Sequence, residues 1–267
     1  MSQMENEVVV RFGFFIGLFL LFAGLEAVFP RRTRVQKRIR RWLANWSLTV
    51  INSVALRLVA IAMPLLAVGA AIDAAARGIG LFNLLGWNIW VESVLVILML
   101  DLAIWVQHLV THKVPILWRL HRVHHADRDM DVTTGIRFHP GEIALSMLLK
   151  IGLVYALGPA AWAVIVFEVI LNGTTLFNHA NINLTPRLDA LLRKVLVTPD
   201  MHRIHHSTKR HEHDSNYGFS ISLWDRLFRT YIGEPEDGQS DMKVGLQWQD
   251  EKPARLGWIL LLPFGNK

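Results

Sequence analysis

Residues 121–125 read His-Arg-Val-His-His, and residues 202–206 read His-Arg-Ile-His-His. Positions i, i+3 and i+4 share one face of a helix, so His121, His124 and His125 form one set of imidazoles and His202, His205 and His206 another. His108 and His112 stand four apart and make a third set, and His179 lies in Phe-Asn-His-Ala-Asn-Ile-Asn-Leu. Imidazole at this density has few uses other than holding transition metals. Four ligands complete one structural zinc site, so nine histidines on four helical pieces point to two metal ions.

The kind of metal chemistry is narrowed by what is missing. The chain has no cysteine, which removes thiolate zinc sites, iron–sulfur clusters and thiol catalysis. A zinc hydrolase needs an activated water and a carboxylate base, and the usual His-Glu-x-x-His helix is missing. His211 and His213, in His-Glu-His-Asp, lack that spacing and read as loop residues near the site. Bis-histidine haem needs facing pairs across spanning helices and leaves most of the nine unused. A metal or proton transporter spreads histidines or acids through the depth of several spans, whereas these cluster. A dinuclear non-haem iron centre with O2 as co-substrate uses all nine, and it needs no catalytic residue beyond the metal centre. A zinc-dependent membrane lipid hydrolase is the alternative, with a metal or proton transporter behind it.

The elements that must position these residues are membrane helices. The 267-residue chain is 52% hydrophobic and has a mean hydropathy of +0.31, too apolar for an ordinary soluble domain. A first span is expected over residues 12–30. Residues 31–41, Arg-Arg-Thr-Arg-Val-Gln-Lys-Arg-Ile-Arg-Arg, carry seven Lys or Arg and no acid, a cytoplasmic loop by the positive-inside rule. A second span is expected over 46–71, a polar loop over 72–87 and a third span over 89–110. The apolar stretch 143–177, broken at Gly158-Pro159, reads as a helical hairpin that enters and leaves on one side. Every histidine then lies at the cytoplasmic face. Trp258–Phe264 is too short to span and is expected to lie on the bilayer or on the cap. The net charge of +6 sits beside apolar runs, which marks membrane orientation and no nucleic acid partner.

The fold class is therefore all-α: a multi-span membrane helical bundle of about three spans plus a helical hairpin, with a cytoplasmic His-rich helical cap. Three regions follow: residues 1–90 as an N-terminal membrane region with the basic loop 31–41, residues 91–235 carrying the histidines, and residues 236–267 as a C-terminal tail. Asp101 shares a helical face with His108 and is expected to accept a hydrogen bond from a ligand imidazole. Asp200 and Asp225 are further candidates for that role, and Glu168 is expected to pair with Lys150 or an arginine. Arg122 and Arg203 point away from the imidazole faces, toward the polar surface or lipid phosphates. Phe138 and Phe177 are candidates to line an apolar channel.

Taken as an ordered set, these residues resemble the fatty acid hydroxylase and sterol desaturase superfamily of integral membrane di-iron oxygenases. The series is Asp101-x-x-x-Trp105-x-x-His108-x-x-x-His112, His121-x-x-His124-His125, Arg137-x-His139-Pro140-x-Glu142, His179, His202-x-x-His205-His206, Asn216-Tyr217-Gly218 and Trp224-Asp225-Arg226-Leu227-Phe228-Arg229-Thr230-Tyr231. It covers residues 97 to 232, about half the chain, and makes residues 91–235 a di-iron domain. The resemblance implies that His108, His112, His121, His124, His125, His179, His202, His205 and His206 ligate two iron ions. It implies O2-dependent hydroxylation or desaturation of a membrane lipid, acyl or sterol-like. Electrons come from a separate donor, a ferredoxin, cytochrome or reductase, since no flavin, nicotinamide or haem motif is present. His139 and Asn183 are implied as ligands or as groups that hold ligands; Asn183 stands where some members have a further histidine. Arg229 stands where many relatives have Gly, which reads as a surface variation.

Overall fold

The computed structural model describes residues 3–62, 66–248 and 252–265, with side chains from Val9 onward. The long helices are α1 (Gln3–Val28), α2 (Arg38–Ala62), α3 (Leu66–Arg77), the short α4 (Leu81–Leu85), α5 (Ile89–Lys113), α6 (Pro115–His125), α7 (Pro140–Leu157) and α8 (Ala161–His179). The remainder folds as short helices: α9 (Pro186–Leu192), α10 (Pro199–His205), α11 (Arg210–His213), α12 (Leu223–Leu227), α13 (Gly238–Asp241) and α14 (Leu256–Leu261). No strand occurs among the described residues, only isolated bridges. Five stretches are long and apolar enough to cross a membrane: Val9–Val28, Arg38–Leu85, which takes in α2, α3 and α4, Ile89–Lys113, Pro140–Leu157 and Ala161–His179. The expected layout of spans plus a hairpin is what forms.

Two details differ from expectation. The polar loop expected over 72–87 is helical as far as Arg77. α2 also begins at Arg38, within the stretch 31–41 expected as loop, and its first turns carry Arg41 and Asn45 into buried contact with the loop that follows α6. At the end of the bundle away from the histidines, two glycines let backbones touch. Gly158 caps α7 at φ +63°, and a Cβ on Gly80, itself at φ +98°, would stand 2.4 Å from the Gly158 nitrogen. Side chains other than glycine cannot occupy either conformation without strain.

Three charges within the bundle form one cluster. Lys150 of α7 reaches Glu168 of α8 at 2.7 Å, and Arg11 of α1 reaches the same carboxylate at 2.6 Å. The pairing expected for Glu168 therefore takes in both cations. In a low-dielectric setting this triad ties three helices together, where an unpaired charge would be costly.

The histidine-bearing end is a polar cap packed on the bundle. A 3-10 turn at Val132–Ile136 is capped by Asp131 and presses on α8. The C-terminal segment packs on the cap, with Ile259 and Leu262 joining Ala44, Leu48 and Val123 in one apolar cluster. The basic stretch after α1 is built into the cap. Arg31 pairs with Asp200 at 3.1 Å, Arg32 donates to the Met242 carbonyl at 2.6 Å, and Arg34 and Arg38 approach the buried Glu26. Arg41 is wholly buried between Asp127 and Asp131 at 2.7 and 2.6 Å.

Candidate metal centre

The nine expected imidazoles converge in the cap, each at least nine-tenths buried. α5 delivers His108 and His112, α6 delivers His121, His124 and His125, the last turn of α8 delivers His179, and α10 with its C-cap delivers His202, His205 and His206. They sort into two groups. His108, His112, His121, His125 and His205 bring ligand nitrogens within 4.8 Å of one another, and so do His124, His179, His202 and His206. Each His-x-x-His-His motif divides between the groups, so neither motif could form one group alone.

Five of the nine rings are oriented from behind. The Nδ1–H of His108 donates to the Tyr217 carbonyl at 2.6 Å, that of His179 to Thr175 at 2.7 Å, that of His205 to Ser215 at 2.7 Å and that of His124 to Arg137 at 3.2 Å. His121 Nδ1–H donates to the Glu142 carboxylate at 2.6 Å. A carbonyl can only accept, so these rings carry their proton on Nδ1 and turn the Nε2 lone pair inward.

Those lone pairs face each other. Nε2 of His108 lies 3.0 Å from Nε2 of His121, and that of His179 lies 3.0 Å from His124; His202, whose Nδ1 has no hydrogen-bond partner, brings its Nε2 to 3.2 Å from His179. Neutral nitrogens that approach with lone pairs repel unless a cation lies between them. Two imidazole–metal bonds of about 2.1 Å meeting at a right angle put their nitrogens about 3 Å apart. His112 and His125, and the Nε2 atoms of His205 and His206, are buried without any hydrogen-bond partner. The donor set thus fits two ions of a metal that accepts imidazole, such as iron, zinc or copper.

Burial pushes the imidazoles of His124, His125, His202, His205 and His206 well below the ordinary value of 6.5, and neighbouring imidazoles add to the effect. The folded cap therefore holds them neutral while an unfolded chain takes up protons below pH 6.5. The unfolded state then binds more protons, so stability is complete above that pH and falls as the pH drops below it. We expect metal-stripped protein to melt at a constant temperature from pH 8 to 7 and at progressively lower temperatures below about pH 6. A thermal melt series checks this, with bound metal released over the same acid range.

The sequence boxes without histidine position the rings. Asn216 adopts φ +49°, and its side chain is clamped to Met201 and Ile232 at 2.9–3.0 Å. This holds the neighbouring Ser215 and Tyr217 carbonyls to His205 and His108. Asp225 accepts from the Tyr217 and Gly218 amides at 2.8 and 2.9 Å and from Trp105 at 3.0 Å. A Cβ on Gly218 would meet Val197 and Asp225 at 2.8 and 2.9 Å, so glycine is required there. Asp225 thus acts on His108 through the backbone, with no direct bond to an imidazole.

The other expected residues fall elsewhere. Asp101 accepts from Trp224 at 2.8 Å and fastens α12 to α5. Asp200 joins Arg31 and Arg203. His139 is the N-cap of α7, accepting from the Gly141 amide at 3.1 Å, and belongs to neither group. Asn183 is exposed, and its backbone N–H donates to the Phe29 carbonyl. Arg122 and Arg203 do not reach the surface: they are 6% and 1% exposed, bonded to the Leu262 carbonyl and to Asp200 and Gln239 respectively. Arg229 has φ +60°, a left-handed conformation that glycine adopts without strain and other residues seldom do. His213 stacks on Trp118 at 5.2 Å and lies beside His112 and Asp214, while His211 pairs with Glu236 outside the site.

Glu142 is the functional candidate that the spacing did not single out; the signal was its place in the box Arg137-x-His139-Pro140-x-Glu142. We expect Glu142→Ala to lower metal affinity or activity by about 10- to 100-fold, with Glu142→Gln intermediate, read as metal retained after dialysis.

A cavity of 330 Å3 leads from His108, His121 and Phe138 into the bundle, reaching Lys150, Glu168 and Arg11. Phe138 stacks on His124 at 4.4 Å, whereas Phe177 packs on Phe22 away from the cavity.

A helical membrane bundle with two buried imidazole groups at one end is the class the geometry defines. The family model described as fatty acid hydroxylase matches residues 93–230, just over half of the chain, and the chain belongs to that family. It is 29% identical to an alkylglycerol monooxygenase of Xenopus tropicalis over 56% of this chain and 32% of that protein. It is 30% identical to the human alkylglycerol monooxygenase over 48% of this chain and 28% of that protein. It is also 28% identical to the ornithine lipid hydroxylase OlsE of Rhizobium tropici, over 59% and 47%. The chain spans about a third to a half of the length of these relatives. No solved structure matches. The five apolar helical stretches and the family together make it an integral membrane protein.

Proposed function

We propose that this chain hydroxylates a membrane lipid, placing one oxygen atom from O2 into a C–H bond at a pair of iron ions. His108, His112, His121, His125 and His205 hold one ion, and His124, His179, His202 and His206 hold the other. It rests chiefly on one observation: two neighbouring buried imidazole groups lie at one end of an apolar bundle, and His108 and His121 of the five-imidazole group line a cavity that runs into that bundle. Bound iron supplies oxygen activation, with electrons from a separate redox protein that docks on the cap.

The chain's own residues orient the ligands and exclude water. Glu142 and the carbonyls of Arg137, Thr175, Ser215 and Tyr217 hold five rings by their Nδ1 protons. Phe138, Phe219, Ile143 and Met147 give the cavity apolar walls that suit a hydrocarbon segment. We place the cap on the cytoplasmic side from the excess of Lys and Arg in residues 31–41.

The test is expression in a bacterial host, growth under labelled O2, and mass spectrometry of the extracted lipids. A lipid heavier by one labelled oxygen is expected. Lipids cleaved without oxygen uptake would instead indicate a hydrolase and sink this reading.

A further inference from the structure

A second hollow lies on the outer face of the bundle, a groove of 670 Å3 between α5 and α7. Its walls are almost all hydrocarbon: Met99, Ala103 and Val106 from α5, Leu145 and Leu149 from α7, and Leu120 of α6 at the cap end. Met99, Val106, Leu145 and Leu149 are 41–49% exposed on helices apolar enough to span a membrane, so the groove opens onto lipid. Its size falls within the range of about 300–1,000 Å3 usual for small-molecule sites.

Four residues line both this groove and the inner cavity: Gln107, Thr111, Glu142 and Ser146. They are the partition between bilayer and metal centre. The partition is thin and is closed across the helices by one hydrogen bond, from Ser146 Oγ to Gln107 Oε1 at 3.2 Å. Behind it stand His108 and His121 of the five-imidazole group, with Glu142 bonded to His121. Breaking one such bond costs about 1 kcal/mol. A hydrocarbon chain already in the groove carries no water to shed, and Ile104, Ile143 and Met147 offer it apolar wall on the inner side.

We propose that a lipid hydrocarbon chain enters sideways from the bilayer along the α5–α7 groove and displaces the Ser146–Gln107 latch to reach the five-imidazole group. This rests on the reading that a membrane lipid is the substrate, and it adds the route.

The absence of cysteine allows a direct test on the full chain. The double variant Ala103→Cys/Leu149→Cys carries two thiols, one on each side of the groove. It is reconstituted in phosphatidylcholine vesicles containing a lipid with a photoreactive group at the end of one acyl chain. Adducts are expected on Val106 and Leu145 in the groove and on Ile104, Ile143 and Met147 in the inner cavity. Joining the thiols with a reducible bifunctional reagent should cut inner-cavity adducts at least tenfold, with metal content unchanged, and reduction of the bridge should restore them. Ser146→Ala, which lacks the latch donor, should raise inner labelling roughly fivefold, the equivalent of about 1 kcal/mol. Inner adducts that persist with the bridge closed, or a groove without adducts, would overturn the route. Unchanged inner labelling in Ser146→Ala would overturn the latch. If labelling follows the expected pattern while no lipid is hydroxylated, the route stands and the proposed reaction fails.

Discussion

Replacing His124 by alanine is expected to abolish lipid hydroxylation and to lower bound metal from about two ions per chain to about one. His124 is wholly buried in the four-imidazole group, with Nε2 3.0 Å from Nε2 of His179. Its loss leaves three imidazoles, and no carboxylate belongs to that group to take its place. Loss even of a residue that only supports a ligand costs about 10- to 100-fold, so loss of the ligand itself should exceed 100-fold. The span that precedes it is untouched, and the variant should still sediment with membranes. His211→Ala is the comparison, because His211 is exposed and outside both groups; it should keep both metal and activity. Turnover by the His124 variant above about one-hundredth of the parent's would refute the ligand assignment.

The largest effect on stability is expected at Arg41. Its guanidinium donates to Asp127 at 2.7 and 2.8 Å, to Asp131 at 2.6 Å and to the Asp129 carbonyl, all in the protein interior. Burial alone raises the Asp127 carboxyl, but the charge and hydrogen bonds of Arg41 outweigh it and hold the group at about 2. Arg41→Met would leave two carboxylates buried and unpaired, a change that typically costs about 3–5 kcal/mol. For a chain of this size that is a fall in melting temperature of roughly 10 °C, measurable in detergent. The damage should reach the metal centre, since the same loop leads to the Arg137 carbonyl that holds His124. Adding Asp127→Asn and Asp131→Asn to Arg41→Met removes the unpaired charges, and it should recover most of the loss. A single variant as stable as the parent would show that the ion cluster does not hold the cap.

Much of this was legible in the sequence because helices have a fixed period. The 3.6-residue repeat placed His121, His124 and His125 on one face, and the apolar runs located the spans to within a few residues except the second, expected over 46–71, whose helix begins at Arg38 and whose apolar stretch reaches Leu85. The same period could not tell what packs against a face. Arg122 and Arg203 turn away from the imidazoles as expected, yet they meet other parts of the cap in place of water. Arg41 looked like one more charge of a membrane-facing loop, while its partners Asp127 and Asp131 lie 86 and 90 residues away in the chain. Backbone acceptors such as the Tyr217 and Ser215 carbonyls carry no side-chain signature at all. What the sequence did show of them was Asn216 and Gly218, residue types suited to the turn that aims those carbonyls. Asp101 was assigned to an imidazole because it shares a face with His108, but in the fold Trp224 reaches it.

The measurement that bears most directly on the centre is metal analysis of the purified full chain, prepared both with and without air, alongside its lipid-oxidising activity. Close to two iron ions per chain are expected, with activity proportional to iron. Full activity in iron-free protein, whether loaded with zinc or with no metal, would contradict it.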